Sequence, residues 1–202
     1  MKSTGPKVRL SRRLGIPLTP KAARIMERKP YPPGQHGRNQ QFTRGRMSDY
    51  KRQLLEKQRL RAQYNISERQ MRNYFRQAER AVGNTVNRLV QLLESRLDAV
   101  VNRGGLAPTI YAARQLVSHG HVLVNGRRVN IASYQVKVGD VVSVKQKSRQ
   151  IPAVVDAVES AAPPSYLDLS PDDMSVKFLY LPDREEVPVI AEVHLVIEFY
   201  SR

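Results

Sequence analysis

Apolar positions change their spacing from one stretch of this chain to the next, and the changes mark its elements. Up to residue 47 they are sparse and follow no period, with Gly and Pro throughout, so this segment reads as an irregular extension. Helical spacing then sets in. Ser48 can cap a helix starting at Asp49, whose carboxylate suits the positive end of the dipole, with Leu54, Leu55 and Leu60 as apolar members. Ser67 and Gln70 form a capping-box pattern for the next helix, where Met71, Tyr74, Phe75 and Ala78 recur at i, i+3, i+4 and i+7. A third helix is predicted over about 84–102, apolar at Val86, Leu89, Val90, Leu93, Leu97, Val100 and Val101 and ended by Gly104-Gly105.

A smaller unit follows in which the local signals agree. Thr109 caps a short helix, Ile110 to His119, that buries Ala112, Ala113, Leu116 and Val117, and Gly120 stops it. His121 to Val124, an Asn125-Gly126 turn and Arg127 to Val129 read as a β-hairpin with a two-residue type I′ turn. Val141 to Val144 is a further strand after the Gly139-Asp140 turn. Residues 149–170 read as a connecting arm broken at Pro163-Pro164. Beyond it, Lys177 to Leu181, Val187 to Ile190 and His194 to Tyr200 have the β-branched and aromatic content of extended segments. The fold class this predicts is α+β.

Charge adds a direction along the chain, which holds 34 Lys and Arg against 18 Asp and Glu. Residues 1–80 carry 21 basic and 5 acidic side chains, residues 81–150 carry 10 and 3, and residues 151–202 carry 3 and 10. A cationic front is the electrostatic footprint of a polyanion partner, and binding through phosphates should weaken steeply with salt. A membrane surface is the other polyanion, but the basic segments lack the Trp/Phe/Leu face of an interfacial helix. By the same logic the acidic last quarter suits a basic protein neighbour.

The candidate RNA contacts are those charges together with polar and turn residues near them. In the front segment they are Lys7, Arg9, Arg12 and Arg13, with Gly34, Gln35, His36 and Gly37 in a Pro/Gly turn where backbone can approach closely. The first helix offers Tyr50, Lys51, Arg52, Lys57, Arg59 and Arg61. On the second, Arg69, Arg72, Arg76 and Arg80 recur opposite the apolar stripe, and few acids interrupt them. The hairpin unit gathers Thr109, Arg114, Gln115, Ser118, His119, His121, Asn125, Arg127 and Arg128 into a surface edged with arginine and amide groups.

Catalytic and metal chemistry find no support. The chain has no cysteine, hence no disulfide, thiol nucleophile or cysteine-ligated zinc. His119 and His121 lack a third ligand at chelating spacing, and no Gly-rich phosphate loop or serine elbow is present. Arg96-Leu97-Asp98 resembles the aspartate-bearing element of pseudouridine synthases, but it precedes the hairpin unit on a helix, with no large sheet domain after it. Asp98 reads instead as a structural carboxylate paired with a nearby arginine. No cofactor, metal or small-molecule substrate is expected, and the chain reads as cytoplasmic, with no apolar run of membrane-spanning length.

Ala113 to His121, followed by Val124-Asn125-Gly126-Arg127, resembles the αL RNA-binding domain, which several RNA-binding families share. The likeness extends further. Pro30 to Gly37, Ser48-Asp49-Tyr50, Glu56-Lys57-Gln58, Glu68-Arg69-Gln70, Leu92 to Asp98 and Val196 to Arg202 resemble, in order, the bacterial form of the small-subunit ribosomal protein number four family. Val8 and Ser11 stand where some members carry zinc-ligating cysteines, so this is the zinc-free form. The resemblance implies a basic extension over 1–47 and a helical domain of 48–93 plus about 171–202, closed by the C-terminal segment. It implies an inserted αL domain with its connecting arm over 94–170. Its implied role is a structural constituent of the small subunit, a primary 16S rRNA binder that nucleates assembly of the subunit body. The implied partners are small-subunit ribosomal protein five, other ribosomal proteins, and mRNA where it enters the ribosome, met by Arg44 and Arg46.

Overall fold

The computed structural model describes residues 5–40 and 47–201. They divide into two units, one of residues 1–75 with 189–202 and one of residues 76–188. The class is α+β, with a five-stranded antiparallel sheet and helices elsewhere. No helix among the described residues is long and apolar enough to cross a membrane.

The first unit opens with helices where the sequence suggested irregular chain. They are α1 (Lys7–Leu14), α2 (Pro20–Arg28) and α3 (Gly37–Gln40). The Gly and Pro residues that obscured the first two stand at helix ends rather than inside them. Gly15 takes φ 71° just past α1, its N–H bonding to the Ser11 carbonyl, and Pro20 fills the first position of α2. Thr19 caps α2 by accepting the Ala22 N–H at 3.2 Å. Leu14, Ile16 and Ala22 are buried, so this segment carries apolar packing of its own.

Next is α4 (Asp49–Gln63), capped by Ser48, and then α5 (Glu68–Arg80), within which the boundary between units falls. The segment 193–200 is α10 (Val193–Tyr200), a helix and not the extended chain expected, and residues 187–190 form no strand. Val193 and Val196 are buried one turn apart, so packing against α4 overrides their β propensity. A polar row on α4 meets α10: the Gln53 amide donates to Glu198 at 2.8 Å, and the Lys57 ammonium lies 4.4 Å from the centre of the Phe199 ring. Tyr200 stacks on Phe75 at 5.1 Å and donates its hydroxyl to Glu68 at 2.8 Å.

That last bond makes α10 sensitive to acid. Burial alone would raise the Glu68 carboxyl, but the Tyr200 hydroxyl, the Lys57 ammonium and Arg61 outweigh it and hold it below its ordinary value of 4.5. The unfolded chain therefore takes up this proton more readily than the folded one. The resulting stability is present above pH 4.5 and lost as pH falls through the lowered value. Urea midpoints of the parent and Glu68→Gln chains should differ more at pH 7 than at pH 3. An equal gap at both would remove Glu68 from the linkage.

In the second unit the long helix predicted over 84–102 is two, α6 (Thr85–Glu94) and α7 (Leu97–Arg103). The break is at Ser95-Arg96, where Arg96 adopts extended backbone and bridges to Gln135. The carbonyls of Tyr134 and Ala132 accept the N–H groups of Leu97 and Asp98 at 2.8 and 3.2 Å, satisfying donors that open the first turn of α7. Then come α8 (Ile110–Ser118), β1 (Val122–Val124), β2 (Arg127–Arg128) and β3 (Val141–Val144), where the sequence placed a helix, a hairpin and a strand. Asn125 and Gly126 have φ of 48° and 76°, as a type I′ turn requires.

A 3₁₀ turn at Gln146–Ser148 precedes the connecting arm, which is itself ordered into α9 (Pro152–Glu159) and β4 (Leu167–Ser170) and followed by β5 (Ser175–Phe178). Pro152 starts α9 in the position where a missing N–H costs nothing. The strand order is β2-β1-β3-β5-β4, every pair antiparallel. Ala113, Val117, Val122, Val142, Val176 and Phe178 are fully buried within this unit.

Candidate nucleic-acid interface

Helix α5 shows how the sequence separates packing from charge. Met71, Tyr74, Phe75 and Ala78 are buried, while Arg69, Arg72, Arg76 and Arg80 are all exposed on the other side. Successive arginines lie three or four residues apart, so the guanidiniums rise one turn at a time along the helix. None is in an ion pair or hydrogen bond among the described residues. Four unneutralised cations in a row fit a run of phosphates better than a solvated surface of mixed sign.

The bases of α4 divide. Lys51 is exposed, and Arg52 is exposed in a 2.8 Å pair with Glu192. Lys57 is 5% exposed, paired with Glu68 at 3.1 Å and covered by Phe199. Arg59 bonds Glu56 at 2.6 Å and the Leu14 carbonyl at 2.8 Å, and Arg61 lies 3.6 Å from Glu68. Lys57 and Arg59 are thus spent on internal contacts. Tyr50 is exposed, its ring centre 5.9 Å from that of Phe199.

In the front segment Arg9 and Arg13 are exposed and Lys7 is half-buried. Arg12 turns inward, donating to the Tyr31 carbonyl at 2.9 and 3.1 Å with its guanidinium 4.9 Å from the centre of the Tyr31 ring. That contact ties α1 to the Pro/Gly turn. Gly34 (φ 110°), Gln35 and His36 are exposed on the turn, and Gly37 is buried where any Cβ would overlap the Pro32 carbonyl oxygen. Arg44 and Arg46 lie outside the described residues.

The hairpin unit gathers Ser118, His119, His121 and Arg128 around the C-terminal end of α8, while Thr109 stands at the helix's other end and Asn125 in the β1–β2 turn. Thr109 caps the helix, accepting the Ala112 N–H at 3.2 Å, and Ser118 donates back to the Arg114 carbonyl at 2.7 Å. Gln115, Ser118, His119 and Arg127 are exposed. The His121 imidazole is 2.8 Å from the Ser148 hydroxyl, and the Arg128 guanidinium lies over Gly120. Asn125 is occupied in the turn, donating to Asp140 and accepting the Val141 N–H. Lys145 and Lys147, both exposed, join this edge because the Lys145 N–H bonds the His121 carbonyl at 2.8 Å. Sequence reasoning left them out. Their signal was a pair of lysines just after a strand, 24 and 26 residues beyond His121.

Asp98 is fully buried. Arg96, itself 0% exposed, grips it with two bonds of 2.9 and 2.7 Å, and Arg114 approaches to 3.9 Å. Burial pushes the Asp98 carboxyl up, against the pull of both guanidiniums. A carboxylate so enclosed reaches no substrate, and its work is to fix the start of α7 beside α8. No Asp or Glu occurs between Asp98 and Asp140, so the whole hairpin unit faces solvent without an acid until the Gly139-Asp140 turn.

Residues 2–94 match the family described as "Ribosomal protein S4/S9 N-terminal domain", and residues 95–142 match "S4 domain". The chain is 45% identical to small ribosomal subunit protein uS4 of Thermobifida fusca, covering 100% of both proteins. It is 50% identical to the protein of that name from Streptomyces avermitilis, covering 98% of this chain and 97% of the relative. With that of Beijerinckia indica it shares 48% identity over 97% of each.

Proposed function

The chain belongs to the ribosomal protein S4 family, and from that premise we propose that it is a primary binder of 16S rRNA that nucleates assembly of the small-subunit body. Family membership makes it a structural, non-enzymatic constituent of the small ribosomal subunit. The observation that carries the finer reading is the exposed, unpaired row of Arg69, Arg72, Arg76 and Arg80 on α5. With the exposed bases of α1 and the hairpin edge, it gives phosphate-binding groups on several separate elements. Such an arrangement suits a junction of RNA helices, read by backbone and shape rather than by base sequence.

The same reading includes contact with mRNA where it enters the ribosome, through Arg44 and Arg46, and a share in decoding accuracy with small-subunit ribosomal protein five. The acidic end supports a basic protein neighbour. Leu179 and Leu181 are exposed there close in sequence to Asp183, Glu185 and Glu186, an apolar strip with an anionic border.

Binding to the 5′ domain of small-subunit rRNA tests the proposal, with an unrelated structured RNA of equal length as control. Both are titrated with magnesium at low and near-physiological salt. A preference for the rRNA that survives the higher salt is expected. Equal, salt-sensitive affinity for both RNAs would leave only non-specific charge attraction and end the assignment to a junction.

A further inference from the structure

Resting on the reading of this unit as an RNA binder, we propose that Ile131 and Tyr134 form a stacking platform for an unpaired nucleobase. The loop that carries them leads from β2 to the Gly139 turn and is bolted to the start of α7. Besides the two bonds from Leu97 and Asp98, the Val136 N–H donates to the Ser95 carbonyl at 2.7 Å. The Tyr134 N–H closes a turn onto the Ile131 carbonyl at 3.0 Å, which sets the two residues at opposite ends of one turn. Arg96, whose backbone bridges to Gln135 of this loop, is fully buried.

A loop pinned in this way would be free to tuck its apolar groups inward if packing were their purpose. Yet Ile131 is 59% exposed and Tyr134 37%. The Tyr134 hydroxyl has no hydrogen-bond partner among the described residues. An aromatic ring and an aliphatic side chain, both open to solvent at the two ends of one backbone-pinned turn, offer apolar surface with little backbone left to order on binding.

The charges that flank this turn in sequence select the occupant. Arg127 and Arg128 precede the turn by a few residues and Lys137 follows it, all three exposed. Asp140 is the nearest acid in sequence, and its carboxylate accepts from the Asn125 amide and the Lys137 N–H, both at 2.8 Å. A basic protein would meet like charge here. Nucleic acid supplies what both parts ask for, phosphates for the cations and a base π-face for the ring. The base must be unpaired, because a helical stack would leave no face free.

The test compares the parent chain with Tyr134→Ala, Tyr134→Phe and Ile131→Ala on the 5′ domain RNA across a salt series, with photo-cross-linking of the parent complex. Tyr134→Ala is expected to bind roughly ten-fold more weakly and Tyr134→Phe within about two-fold of the parent. The salt slope should be unchanged, since every phosphate-binding cation is still in place. A cross-link should join Tyr134 to a single-stranded nucleotide. The loop bonds are backbone bonds, so melting temperatures should stay together, and Ile131→Ala gives a second reading that leaves the ring in place. Parent-like affinity in Tyr134→Ala overturns the platform, as does a variant that keeps its RNA affinity but loses a ribosomal protein partner. If the parent itself shows no rRNA preference, the broader assignment has failed, and the cross-link then reports on the platform separately.

Discussion

Replacing Arg96 by Met should destabilise the second unit by about 3–5 kcal/mol, because it leaves the Asp98 carboxylate buried without its bidentate partner. In thermal unfolding that corresponds to a fall in Tm on the order of 10–20 °C for a unit of this size. Arg114, at 3.9 Å, is too distant to take over both bonds. The double variant Arg96→Met/Asp98→Leu should recover most of the loss, since it removes both desolvated charges together. A double variant as unstable as the single one would show that the damage comes from packing around Arg96 rather than from the orphaned charge. The result bears on function as well. The backbone of residues 95–98 holds the loop of Ile131 and Tyr134, so that loop's geometry rests on this ion pair.

Neutralising the α5 row should have the largest effect on binding. With Arg69, Arg72, Arg76 and Arg80 all changed to Gln, the slope of log affinity against log salt should fall by roughly 3, about 0.7–0.9 for each phosphate no longer neutralised. Affinity for the 5′ domain RNA at near-physiological salt should drop on the order of a few hundred-fold. Gln and Arg have similar helix propensities, and the apolar face is untouched, so the helix should persist by circular dichroism. Lys57→Gln makes the contrast. This lysine lies under Phe199 beside Glu68, so its removal should lower stability and leave the salt slope alone. If the quadruple variant keeps the parent slope, α5 does not face phosphates.

The difference between those two experiments also marks where sequence reasoning stops. Periodicity on α5 separates four arginines from four buried residues because both sets repeat with the helix. On α4 the same logic fails for Lys57 and Arg59. Their fate is set by Glu68, Glu56 and an aromatic ring 142 residues away, as the Lys57 and Phe199 positions show. The hairpin unit was legible because its cap, its stop and its turn are local chemistry at Thr109, Gly120 and Asn125-Gly126. The break between α6 and α7 was not, because nothing near Arg96 in sequence requires extended backbone. The requirement comes from Gln135 and the carbonyls around it. In the front segment Pro20 and Gly15 read as disorder when counted and as helix boundaries when placed. The final helix carries Val, Ile, Phe and Tyr, residues that favour strands until a partner helix is in position.

The polar row of α4 has one more consequence, in time rather than in space. Gln53 and Lys57 are covered by residues 198–200, and the chain must be translated through the whole of residues 76–188 before that cover exists. At 5–20 residues per second this interval is roughly 6 to 23 s, long enough for the second unit to form first. For that time the first unit is a half-built body with an uncovered ammonium and a large arginine surplus. The last helix decides when that exposure ends.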